Sequence, residues 1–80
     1  MRFSVHTIQK TLYESEDVEG IIAQTALGEI SVLDNHLPLI SFLKGPVMTV
    51  IDKNKKKINI EIQSGFLEVR PGGEVIALIT

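Results

Sequence analysis

Along much of this chain apolar and polar side chains alternate with a period of two. That period is the mark of strands that cover a core with one face and meet water with the other. The cleanest case is Ile58-Asn59-Ile60-Glu61-Ile62-Gln63, where three isoleucines share one face and three polar side chains share the other. Ile58, Ile60 and Ile62 are therefore expected in the core. Phe3, Val5 and Ile8 predict a first strand from Phe3 to Gln9, with a bend or bulge where the phase slips between Val5 and Ile8. Val18, Gly20 and Ile22 predict a second, with Ile21 and Ala23 on its other face and Gly20 as the place for a bulge or a close backbone contact. Glu29 to Leu33 is a short third strand, with Ile30 and Val32 sharing a face.

Three segments are apolar on both sides: Leu37–Leu43, Val47–Ile51 and Val75–Ile79. They read as central strands, or as strands whose outer face meets a partner. Pro38 lacks a backbone donor, which puts the start of its segment at an edge or corner. Lys44-Gly45-Pro46, Asp52-Lys53-Asn54-Lys55, Ser64-Gly65 and Pro71-Gly72-Gly73 read as turns, with Pro71-Gly72 suited to a type II turn. Phe66, Leu67 and Val69 are expected in the core, with Phe66 alone having the alternative of reaching outward to a partner. No helix of ten residues or more is predicted. Short strands at this turn density define an all-β chain, a small two-sheet antiparallel β-sandwich occupying residues 1–80 as one domain.

Composition narrows the function. A chain of 80 residues buries only about 60–65% of the surface that its unfolded form exposes, so a permanent partner would add useful stability. There is no cysteine, which excludes disulfides and thiolate metal sites. Net charge is −2, so general nucleic-acid binding is not expected. No apolar run approaches the length of a spanning helix, so no direct membrane insertion is expected.

Candidate chemistry fails on spacing. His6 and His36 stand far apart with no further ligand set, and Asp34 with His36 gives only two ligands. Ser64-Gly65 lacks the rest of a nucleophile elbow. Gly72-Gly73 precedes a strand rather than a helix, so it is no phosphate cradle. Glu14, Glu16, Asp17 and Glu19 lack the spacing of a calcium loop and read as a solvated connector. Lys53, Lys55, Lys56 and Lys57 have no aromatics among them to stack bases, and read as a solvated hairpin tip that discourages edge pairing. No catalytic residue, metal ligand or cofactor is expected.

Three segments together resemble the epsilon subunit of F-type ATP synthases, called delta in mitochondria. Gly28-Glu29-Ile30-Ser31-Val32-Leu33-Asp34-Asn35-His36-Leu37-Pro38-Leu39-Ile40 is similar to the family pattern G-E-x-x-V-L-x-x-H-x-P-L. Leu43-Lys44-Gly45-Pro46-Val47 resembles L-K-P-G-x with Gly and Pro exchanged, and Ser64-Gly65-Phe66-Leu67-Glu68-Val69 resembles S-G-G-F-L-E-V one glycine short. Order and intervals match over essentially the whole chain. The resemblance implies the N-terminal β-sandwich of a non-catalytic rotor subunit. That domain docks on the gamma subunit, rests on the c-ring, and couples ion flow to ATP synthesis from the cytoplasmic face of an energy-transducing membrane. It also implies ring contacts at Thr7, Glu29 and His36, expected as one polar patch at one end of the sandwich. Family members carry a C-terminal helical hairpin that restrains ATP hydrolysis and in some bacteria binds ATP. The last predicted strand ends beside Thr80 with no hairpin after it, so those roles are not expected of these residues.

Two other readings compete. A free-standing ligand- or carbohydrate-binding sandwich would display aromatics on one face, and this chain has no Trp, one Tyr and three Phe. A small nucleic-acid-binding barrel would need a positive balance and a stacking platform.

Overall fold

The computed structural model describes residues 1–80. Eight strands form: β1 (Arg2–His6), β2 (Thr11–Ser15), β3 (Val18–Thr25), β4 (Gly28–Leu33), β5 (Leu39–Asp52), β6 (Lys57–Glu61), β7 (Ser64–Arg70) and β8 (Glu74–Ile79). No helix is long and apolar enough to cross a membrane. The strands are hydrogen-bonded in the order β2-β1-β8-β7-β5-β3-β4, with β6 also on β5.

The two layers of the sandwich are joined through β5. Its first half, Leu39 to Lys44, pairs with β7. Its second half pairs with β3 on one side and β6 on the other. Fourteen extended residues would reach about 46 Å, yet the longest dimension of the domain is 26 Å. The strand therefore turns a corner, and it does so at Gly45-Pro46, whose peptide is cis. The expected turn at Lys44-Gly45-Pro46 is thus a bend within one strand, and two predicted strands are one. Ser64-Gly65, also expected as a turn, opens β7.

Both glycines sit where backbones nearly touch. A Cβ on Gly45 would overlap the Ile62 carbonyl oxygen, and one on Gly65 would overlap the Leu78 carbonyl and come 2.9 Å from Ile79 Cα. Only glycine allows this approach.

One pairing departs from the antiparallel expectation. β1 and β8 run parallel, with Arg2 opposite Glu74 and His6 opposite Leu78. β1 ends at His6, earlier than predicted, and Ile8 lies in the turn after it. β2 was not predicted at all: Leu12 faces outward, and the inward face carries Tyr13, its ring centroid 6.1 Å from that of Phe3, and the small polar Ser15 opposite Phe3. The register slips between Val18 and Gly20, where a bulge was expected.

Fifteen buried apolar residues form one core. The first layer contributes Phe3, Val5, Leu67, Val69, Val75 and Ala77. The second contributes Val18, Ile21, Ala23, Val32, Met48 and Val50, and Ile62 fills the corner beside Gly45. Fully burying one such larger side chain contributes about 1.5–3 kcal/mol. Ile62, Leu67 and Val69 are in the core, but Ile58 and Ile60 are only half-buried against it. The cause is topological: β6 pairs with β5 alone, so its other flank is open.

Leu67→Ala is expected to cost about 2–5 kcal/mol, and Ile60→Ala clearly less. Urea unfolding of the two variants checks the order, and equal losses would contradict the edge position of β6. Gly65→Ala forces two backbones apart and should destabilise at least as much as Leu67→Ala. A Gly65→Ala chain melting with the parent would show that β7 and β8 separate there without cost.

Candidate docking surface

Strand pairing fixes which side chains share the outer face of the first layer. Phe42 lies opposite Phe66, Phe66 opposite Leu78, and Leu78 opposite His6. Their chain neighbours Leu43, Leu67, Ala77 and Val5 point into the core, so this row points out. The Phe42 and Phe66 ring centroids are 4.7 Å apart at 41°. Ile40 flanks the row at 72% exposed, Phe42 is 68% exposed, and Ile8 covers its end at 92%. Ile8, Phe42, Phe66 and Leu78 line a shallow depression of about 250 Å³. A contiguous exposed apolar patch of this kind marks an interaction site. Phe66 was expected in the core. It is half exposed because Leu67 and Val69 take the inner face, and the alternation of the strand sends Phe66 and Glu68 out.

Two phenylalanines on one face are what a carbohydrate module would also show. Here the rings lean on each other among aliphatic side chains, and the hydroxyls that line the same depression, Ser64 and Thr80, lie 3.0 Å apart and engage each other. Charges gather at one end of the face instead. Arg2 donates to Glu74 at 2.5 Å, and Arg70 bridges Glu68 at 3.1 Å and Glu74 at 3.6 Å.

The three residues expected to form one ring-facing patch do not come together. Glu29 is the second residue of β4 and pairs with Gln24, whose side-chain amide donates to the Glu29 carboxylate at 3.0 Å. His36 follows the other end of β4, its amide donating to the Leu33 carbonyl. Four residues of strand, about 13 Å, separate those ends. The register then places Thr7 on Glu29's side. Gln24 pairs with Lys44 at the corner, Lys44 with Ser64, and Ser64 accepts a bond from Thr80, just beyond β8. β8 runs parallel to β1, which leads to Thr7. His36 lies at the opposite end, where the Met1 ammonium reaches Asp34 at 3.0 Å.

Thr7 differs from the expectation in chemistry too. Its Oγ1 accepts from the Gln9 and Lys10 amides at 3.2 and 3.1 Å, which uses the hydroxyl to build the β1–β2 turn. His36 is half-buried, with Nδ1–H donating to the Leu37 carbonyl at 2.7 Å. Glu29 is exposed.

The acidic connector and the lysine run face each other. Lys53 pairs with Asp17 at 3.7 Å, and Lys55 with Glu19. Asp52 caps the hairpin by accepting from the Asn54 and Lys56 amides at 2.8 and 2.9 Å. These charges solvate one end of the fold and answer one another.

The class so defined is a small β-sandwich whose distinctive chemistry is a surface, an apolar row rimmed by charge. Residues 1–78 match the family described as ATP synthase, Delta/Epsilon chain, beta-sandwich domain, and the chain belongs to that family. It is 31% identical over 70 residues to the ATP synthase epsilon chain of Brevibacillus brevis, covering 88% of this chain and 52% of that one. It is 38% identical over 69 residues to the epsilon chain of Pelotomaculum thermopropionicum, covering 86% and 50%. Against the mitochondrial ATP synthase subunit delta of Yarrowia lipolytica the identity is 29% over 75 residues, covering 94% and 46%. The chain thus spans about half the length of these relatives. A chain in the Euglena gracilis mitochondrial ATP synthase structure (OSCP/F1/c-ring) superposes with a TM-score of 0.88 at 26% identity, over 96% of this chain and 48% of that one. One from the Tetrahymena thermophila mitochondrial ATP synthase central stalk/c-ring shares the fold, with a TM-score of 0.85 at 13% identity, over 100% and 63%.

The rim has a pH signature. The hydrogen bond from Arg2 holds the Glu74 carboxyl below its ordinary range. A carboxyl depressed in the folded state stabilises the fold above its unfolded pKa, and that contribution is lost as pH falls through the folded one. The stability gap between the parent and Glu74→Gln should therefore be widest above the unfolded glutamate pKa of about 4.3 and narrow as pH falls below it. Thermal melts at low salt check this, and a gap that widens on acidification would contradict it.

Proposed function

We propose that this chain supplies the β-sandwich of a non-catalytic central-stalk subunit of a proton- or sodium-translocating F-type ATP synthase. On this reading it links the gamma subunit to the c-ring and helps couple ion flow to ATP synthesis. It sits on the cytoplasmic face of the membrane, or its equivalent, held there by protein partners. The single observation that carries the reading is the row Phe42–Phe66–Leu78, with Ile40 and Ile8, left uncovered in a member of this family. Such a surface suits an apolar face of gamma, where buried aromatics carry most of the binding energy. A partner that binds only the folded domain also stabilises it by mass action.

For the ring contact we assign the corner end, where Glu29 is exposed beside the fully exposed Leu27 of the β3–β4 turn. Polar contacts there contribute about 0.5–1.5 kcal/mol each, giving register more than affinity.

Co-purification of the assembled complex tests both halves. Phe42→Glu should leave the β-sheet circular dichroism intact and lose gamma. Glu29→Ala should keep gamma and loosen the ring, while His36→Ala leaves both. Full retention of gamma by Phe42→Glu would remove the apolar row from the interface. Ring loss on His36→Ala, with Glu29→Ala silent, would turn the domain end for end.

A further inference from the structure

We propose that the open flank of β6 pairs with β6 of a second copy of this chain, joining the second layers of two molecules into one continuous sheet across a two-fold axis. This edge is separate from the docking row, which lies on the outer face of the first layer, and pairing there is independent of the stalk role.

The backbone phase of β6 sets what the flank offers. β6 pairs with β5 alone. At one end of that ladder the Ile62 amide donates to the Pro46 carbonyl, and at the other the Asp52 amide donates to the Lys56 carbonyl. In an antiparallel ladder every second residue pair exchanges such bonds. Met48 is opposite Ile60 and Val50 opposite Ile58, so the amides and carbonyls of Ile58 and Ile60 turn to β5. Those of Lys57, Asn59 and Glu61 turn to the open side, where no other strand lies. A row of unpaired backbone groups is a template for a further strand.

The residues of β6 are their own complement. Turned antiparallel about Asn59, a second β6 sets Lys57 opposite Glu61 of the second copy and Glu61 opposite its Lys57. Asn59 meets Asn59 on the axis. On the inner face Ile58 meets Ile60 of the second copy, so half-buried isoleucines cover one another where β6 has no neighbour of its own. The residues whose backbone groups face outward are the ones that pair directly, so hydrogen bonds, charge and apolar contact agree on one register. Slipped towards the hairpin, the pair brings Lys57 against Lys57; slipped the other way, it brings Glu61 against Glu61. Charge thereby selects the register. β2 and β4, at the ends of the strand order, carry one charged residue each, Glu14 and Glu29, and no register of either matches opposite charges. The two-fold pairing closes at two copies and builds no fibre. A strand this short gives a weak, reversible dimer.

Sedimentation equilibrium of this chain at low salt, from about 10 μM to about 1 mM, should show a monomer–dimer equilibrium. Lys57→Glu or Glu61→Lys alone makes both cross-axis pairs repulsive and should raise the dimer dissociation constant about 10-fold or more. The double exchange, Lys57→Glu with Glu61→Lys, restores opposite charges and should return it to within about 3-fold of the parent. Phe42→Glu should leave it unchanged. Hydrogen exchange on the parent needs no variant: the Lys57, Asn59 and Glu61 amides should slow as concentration rises, while those of Ile58 and Ile60, bonded to β5, stay protected throughout. A chain that remains monomeric, single reversals without effect, or a double exchange that fails to restore pairing would each overturn the proposal. So would a dimer abolished by Phe42→Glu, which would place the contact on the docking row, or β6 amides whose exchange ignores concentration.

Discussion

The whole fold depends on one strand turning a corner. β5 is hydrogen-bonded to β7 on one side of the bend and to β3 and β6 on the other, so both layers hang from it. Closing such a bend brings backbone against backbone, and the chain meets this with Gly45 under the Ile62 carbonyl and Gly65 under that of Leu78. Proline follows at the bend, where a missing donor disrupts the ladder least. Everything else is regular pairing. A domain of this size has little stability in reserve, so a clash at either glycine would reach both sheets at once.

Two layers of short strands have two inner faces and two outer ones. The inner faces use up fifteen apolar side chains. The outer face of the first layer still carries Ile40, Phe42, Phe66 and Leu78. The part of each side chain left exposed there adds nothing to the isolated fold and invites association. A partner that covers it removes apolar area from water and excludes solvent from the half-buried rim. Docking and folding are in this way complementary uses of one strand pattern, the inner parity for the core and the outer for a neighbour.

Much of this was legible in the sequence. The all-β class, the sandwich, the core positions Ile62, Leu67 and Val69, and the bulge near Gly20 follow from period-two alternation and turn chemistry. The failures have physical causes. Gly-Pro read as a turn because local propensity says so, whereas long-range pairing on both sides of Gly45 keeps the chain extended. β2 hid because its one inward aromatic, Tyr13, stands among charged neighbours. Ile58 and Ile60 have the cleanest alternation of all, but alternation reports which face a residue takes and not whether its strand has neighbours on both flanks. The parallel pairing of β1 with β8 joins residues more than seventy positions apart, and no local pattern encodes it.

The candidate surface was legible only in part, and the reason bears on how motifs map onto a fold. Segments apolar on both faces did point to outward apolar side chains, but the cross-strand row that gathers Phe42, Phe66, Leu78 and His6 draws on four strands. Conversely, Glu29 and His36 fall within one continuous motif, and nearness in the motif suggested nearness in space. An extended strand does the opposite: it carries each added residue about 3.3 Å further along its axis. The motif is a unit of sequence because β4 and its flanking loops fold as a unit, yet its two polar residues are delivered to opposite ends of the sandwich. Glu29 and His36 are thus neighbours in the motif and not in the fold.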